Sequence, residues 1–126
     1  MEVQDLLTSI LTTCNAIAAG ETPATEDYTL AQSFLNNLIG SWNAAIKKSL
    51  AASYDPSIYT FVPVPVTVNL DDELTLPNGW ARALTFNVAL DLCEPYGRPV
   101  TPTLASMAAV SKAEIITGAD QPAPTS

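Results

Sequence analysis

Apolar residues recur every three or four positions in four stretches of this chain, and a segment between the second and third breaks that rhythm. In the first stretch Val3, Leu6, Leu7, Ile10, Leu11, Cys14, Ile17 and Ala18 form one stripe, with Thr8, Ser9, Thr12, Thr13 and Asn15 opposite. This predicts a one-faced amphipathic helix over 3–18, stopped by Gly20. The loop "GETPATEDYT" leads into a second helix, where Thr22 before Pro23, or Thr25 before Glu26 and Asp27, offers a cap and an acidic first turn. Leu30, Phe34, Leu35, Leu38, Ile39, Trp42, Ala45 and Ile46 make its apolar half, and Gln32, Ser33, Asn36, Asn37, Asn43 and Lys47 its polar half. Gly40 sits on the polar side at a cost of about 1 kcal/mol relative to Ala, and reads as a bend or a close backbone approach. The pattern fades between Lys48 and Tyr54, ahead of Asp55-Pro56.

The period then changes from helical to alternating. "IYTFVPVPVTVNL" sets Val62, Val64, Val66 and Val68 on one face by strict alternation, continued by Leu70. Pro63 and Pro65 take the other parity, so one edge of this strand lacks two N–H groups and cannot carry a full ladder. Asp71-Asp72 predicts a turn and "ELTL" a short returning strand. The segment from about 57 to 77 therefore reads as a β-hairpin or an extended arm.

"LPNGWARALTFNVALDLCEPYG" resumes the helical pattern, with Asn78 as a candidate cap and Pro95 and Gly97 as the stop. This third helix carries Trp80, Leu84, Phe86, Val88, Leu90 and Leu92, more apolar surface than one neighbouring element covers. The expectation is that one side serves the core and another a neighbouring chain. Thr101-Pro102 opens a fourth helix with a buried stripe of Leu104, Met107, Ala108, Ser111 and Ile115, ending at Gly118. The remaining "ADQPAPTS" (119–126) holds too little apolar matter to fold alone and reads as a flexible tail. The fold class is thus mainly α: a four-helix subunit over 1–118 with a hairpin or arm inserted between helices two and three.

Composition adds a partner to this picture. The 126 residues fit one domain with a real core, and 48% hydrophobic residues are ordinary, but only 14% are charged. A small monomer needs more surface charge than that, so partner chains are expected to cover part of the surface. Thirteen acidic residues stand against five basic ones, Lys47, Lys48, Arg82, Arg98 and Lys112, from which no basic patch can be built. Binding nucleic acid by neutralising phosphates is thereby excluded. Acidity supports solubility, and it also suits a wall that DNA slides past.

Candidate chemistry is thin. Asp91 and Glu94 lie one helical turn apart, and Asp71, Asp72 and Glu73 cluster in a predicted turn; neither spacing is diagnostic of paired acid–base catalysis or of a calcium loop. Cys14 and Cys93 fall among aliphatic residues in a chain without histidine, which predicts buried thiols rather than a nucleophile, a disulfide framework or a metal site. No cofactor is expected. The longest apolar run is too short to span a bilayer, and residues 1–20 lack the basic stretch of a secretory signal.

The order of parts is more specific than any single motif. "LAQSFLNNLIGSWN" sets Leu35-Asn36 ahead of Trp42, and the β excursion ends in Pro77, Gly79 and Trp80. The third helix carries Asn87-Val88-Ala89 and runs into Glu94-Pro95-Tyr96-Gly97, and Pro102 opens the last. Over roughly 3–117 this resembles the head-to-tail connector (adaptor) proteins of tailed bacteriophages, in particular the packaged-DNA stabilisation, or tail accessory, family of short-tailed phages. The resemblance implies a virion structural protein at the neck, made in the host cytoplasm; since no catalytic set can be matched among the residues, no enzyme is expected. It implies a ring, twelve copies in the family, that docks under the portal protein, extends the DNA channel and accepts the next tail component. Some relatives grip the portal with a long C-terminal extension, whereas this sequence ends soon after Gly118. On this reading Trp42, Phe61, Val62, Val64, Val66, Trp80, Phe86 and Tyr96 are the candidate interface residues. The alternatives are another neck protein, such as a stopper or tail-completion protein, or a small hydrolase or binding module working as a monomer.

Overall fold

The computed structural model describes residues 1–53, 62–77 and 79–118. Four helices carry the described chain: α1 (Val3–Thr13), α2 (Thr25–Ser53), α3 (Trp80–Leu92) and α4 (Pro102–Gly118). The mainly helical class and the helix count agree with the apolar stripes. Phe61, the expected Asn78 cap, the end of the second helical pattern at Tyr54 and the tail 119–126 lie outside the described residues. No helix among the described residues is long and apolar enough to cross a membrane.

Backbone chemistry sets the helix ends. α1 stops at Thr13 rather than Ala18 because Asn15 turns left-handed, at φ 62°. The Ala16 N–H donates back to the Leu11 carbonyl at 3.0 Å and the Asn15 N–H to Thr12 at 3.1 Å, a Schellman closure. Ile17 still reaches the core, while Ala18 is exposed. At the other end of α1, Glu2 provides no side-chain cap. The Val3 and Gln4 N–H groups donate instead to the carbonyls of Asp72 (3.0 Å) and Leu70 (2.9 Å), so the segment after the arm caps the first helix.

α2 is capped differently from expectation. Neither Thr22 nor Thr25 does it: Asp27 Oδ2 accepts the Ala24 N–H at 3.1 Å, half of a capping box. Its other oxygen accepts the Tyr96 hydroxyl at 2.6 Å, which ties the start of α2 to the corner after α3. In that corner Gly97 sits at φ 64°, with the Arg98 N–H on the Cys93 carbonyl at 2.8 Å and the Gly97 N–H on Glu94 at 3.0 Å. The Thr101 hydroxyl accepts the Leu104 N–H at 3.1 Å, so Thr101-Pro102 opens α4 as its sequence predicts.

The greasy third helix is explained by its place. α3 packs against α1, α2 and α4, and along its length only Arg82 and Asp91 are exposed. Within this chain α1, α2 and α4 cover most of its apolar surface, and Phe86 and Leu90 are left half-buried. Leu84, Val88 and Leu92 meet Leu6, Leu7, Ile10 and Leu11 of α1 and Leu35, Ile39 and Trp42 of α2 in one core, each side chain stabilising by about 1.5–3 kcal/mol. Asn87, buried between α3 and α4, donates to the carbonyls of Ala83 (2.8 Å) and Ala108 (3.0 Å), fixing the two helices against each other.

Candidate functional site

No hairpin forms among the described residues. Glu73 makes an isolated antiparallel bridge with Glu2, so the "ELTL" stretch meets the start of the chain rather than the valine run. The Asp72 carboxylate accepts the Asn69 N–H at 3.0 Å and turns the chain there. Residues 62–69 form an extended arm laid along α2.

Side-chain amides hold that arm. Asn43 Nδ2 donates to the Val64 carbonyl at 2.7 Å while its Oδ1 accepts the Val64 N–H at 3.0 Å. Asn36 does the same to Thr67, donating to its carbonyl at 3.0 Å and accepting its N–H at 2.7 Å and its hydroxyl at 2.9 Å. Gln32 Nε2 completes the row, reaching the Thr67 hydroxyl at 3.0 Å and the Val68 carbonyl at 3.1 Å. The register is geometric. Asn36 and Asn43 are seven helical residues apart, about 10.5 Å at 1.5 Å per residue. Val64 and Thr67 are three extended residues apart, about 9.3 Å at 3.1 Å per residue. Arm and helix run antiparallel, with Asn43 on Val64 and Asn36 on Thr67 three residues along.

Burial along the arm has the same period of three. Val64 and Thr67 are 7% and 6% exposed and Leu70 is half-buried, whereas Val62, Val66 and Val68 are 78%, 54% and 73% exposed. The expected alternation, with Val62, Val64, Val66 and Val68 on one face, is therefore corrected to a repeat of three in burial, and Pro63 and Pro65, which lack N–H groups, keep the run out of a ladder. Two edges remain outward. One is Val62, Pro65 and Val68, wholly apolar; the other is Pro63, Val66 and Asn69.

The candidate interface residues thus divide. Val62 and Val66 are exposed on the arm, Phe86 and Tyr96 are half-buried, and Phe61 lies outside the described residues. Val64 is tucked beneath Asn43. Trp42 and Trp80 are buried in the core, edge to face with ring centroids 5.5 Å apart, so their own chain occupies them. The Trp42 indole N–H finds no acceptor among the described residues. Sequence reasoning missed Gln32, Asn36 and Asn43 as functional groups, assigning them to the solvent side of α2. The signal was present as three amides on one helical stripe.

On the other side of α2, Phe34, Asn37, Leu38 and Ser41 line an open groove of about 290 Å³ with Asp91 of α3 at its rim. Partial burial raises the Asp91 carboxyl above its ordinary range, against the opposing pull of Lys112. Glu94, its expected partner in any paired-carboxylate chemistry, is exposed and does not line this groove. Cys14 and Cys93 are buried free thiols, each raised above the usual thiol range chiefly by desolvation. Compared with known protein families, curated proteins and solved structures, the chain matches none.

Proposed function

We propose that this protein is a structural component of a phage neck, a subunit of the head-to-tail adaptor ring. In this reading copies of the chain, twelve in a family-like ring, dock beneath the portal, extend its channel and receive the next neck or tail protein. The observation that carries it is the clamped arm, which presents an uncharged edge of Val62, Pro65 and Val68 to solvent while its backbone is held by α2. Such a surface suits assembly, because ordering it costs a partner nothing further. The motif residues behind the resemblance support the same reading. Asn36 clasps the arm, Gly97 closes the corner beside Tyr96, and Asn87 joins α3 to α4.

The acidic surplus fits a channel or outer wall that DNA passes without sticking. The protein would act in the virion neck, by assembly rather than by chemistry. Co-sedimentation with purified portal rings tests this: comigration at a fixed stoichiometry is expected, and free migration at every salt concentration would count against it.

A further inference from the structure

The arm and the groove lie on opposite sides of one helix. Taking 100° per residue, Gln32, Asn36 and Asn43 centre roughly 170° around α2 from Phe34, Asn37, Leu38 and Ser41. A subunit cannot lay its own clamped arm into its own groove. We infer that the Pro65–Val68 edge of the arm seats in the Phe34–Leu38 groove of a second copy of this chain.

The fit follows from what each surface offers. A strand cannot add to the arm, because the prolines lack N–H groups and the backbone groups of Val64 and Thr67 are already taken by Asn43 and Asn36. Recognition must therefore be of the polyproline kind, with apolar ridges on an aromatic-lined surface and donors aimed at free carbonyls. Among the described residues the Pro65 and Val66 carbonyls accept no hydrogen bond. The groove is lined by Phe34 and Leu38, by the exposed Asn37 amide and Ser41 hydroxyl as donors, and by Asp91.

Length and volume agree as well. Phe34 to Ser41 spans about 10.5 Å of helix, and Pro65 to Val68 about 9.3 Å of arm. This is the register of seven against three that Asn36 and Asn43 use on the other side. The groove, about 290 Å³ and open to solvent, can admit a proline ring and a valine side chain. No charged residue falls between 56 and 70, so the acidic chains do not repel at this contact. Because the two surfaces differ, the contact is head-to-tail and repeats from copy to copy until it closes. It rests on the connector reading, to which it adds the residues that join neighbours.

Complementation of two variants tests it by light scattering after size exclusion. The arm variant is Val62→Asp with Val68→Asp, and the groove variant is Asn37→Arg with Ser41→Arg; all four positions are exposed. Unchanged circular dichroism and melting confirm that both fold. The wild-type chain is expected to associate as concentration rises, and each variant alone to stay at the 13.3 kDa monomer. Their equimolar mixture should give a dimer that grows no further, since one intact arm meets one intact groove. A mixture that stays monomeric while the wild type associates would overturn the contact, as would a wild type that is monomeric at millimolar concentration. Complementation without portal binding would retire the connector reading and leave the contact standing. Portal-bound rings formed equally by both variants would do the reverse.

Discussion

Replacing Asn43 by Ala should loosen the whole arm while leaving the helical core intact. Asn43 makes two hydrogen bonds to Val64, of 2.7 and 3.0 Å. At about 0.5–1.5 kcal/mol each, their loss destabilises the docked arm by about 1–3 kcal/mol. Asn36 and Gln32 still hold Thr67 and Val68, but little apolar burial compensates, since Val64 and Thr67 are the only buried residues between 62 and 69. Hydrogen exchange reads the effect one amide at a time. In the wild type the Val64 and Thr67 amides should be protected, because each donates to an asparagine oxygen. The Val62, Val66 and Val68 amides, with no acceptor among the described residues, should exchange fast. In Asn43→Ala the Val64 amide loses its acceptor directly, so the informative reporter is Thr67, whose bond to Asn36 is untouched. If the arm docks as one unit, Thr67 should exchange about 5- to 150-fold faster, which is 1–3 kcal/mol at 1.4 kcal/mol per tenfold. Unchanged exchange at Thr67 would refute the concerted clasp and leave two independent amide contacts.

The same chemical change should have opposite signs at two glycines: Gly97→Ala should lower the melting temperature through about 1–2 kcal/mol of left-handed strain, because the backbone there is at φ 64°. Gly40→Ala, inside α2 with open space around its Cβ, should stabilise by up to about 1 kcal/mol; both are read by thermal denaturation. Burial first, and then the bond to Asp27, push the Tyr96 hydroxyl well above its ordinary value of 10.0. The folded state therefore keeps that proton when the unfolded chain has lost it, so this stabilisation is full below pH 10 and declines as pH rises beyond it. Denaturant titrations of Tyr96→Phe should show a shallower alkaline decline than wild type. Cys14 and Cys93 are each 1% exposed and should react with a thiol reagent only after unfolding, whereas fast native labelling of either would contradict the packing of α1 and α3.

Much of this fold is legible in the sequence because local physics decides it. The stripe from Val3 to Ile17, the Thr101-Pro102 start of α4 and the stop at Gly97 all depend on residues within a turn or two of one another. The arm is legible only in part. Alternation and a three-residue repeat both place Val64 and Leu70 inward, and they differ at Thr67, a polar residue that no apolar pattern selects. Its burial depends on Asn36, thirty-one positions away, which accepts its N–H and hydroxyl. Long-range pairing of this kind leaves no local trace. Trp42 and Trp80 are set by long-range packing too: large rings suggest anchors, and their burial in this chain follows from α3 lying among three helices. On the arm, Val62 and Val66 share an alternating face with Val64 in the sequence, but only Val64 is buried. The groove at Phe34 and Leu38 was hidden within what reads as a single apolar face.

Electron microscopy of intact phage necks tests the central claim most directly. The connector account predicts a ring of this chain immediately beneath the portal, with α2 of each subunit facing the 62–69 arm of its neighbour. Particles with no density for this chain at the neck, or with it as an isolated monomer elsewhere in the virion, would contradict the account.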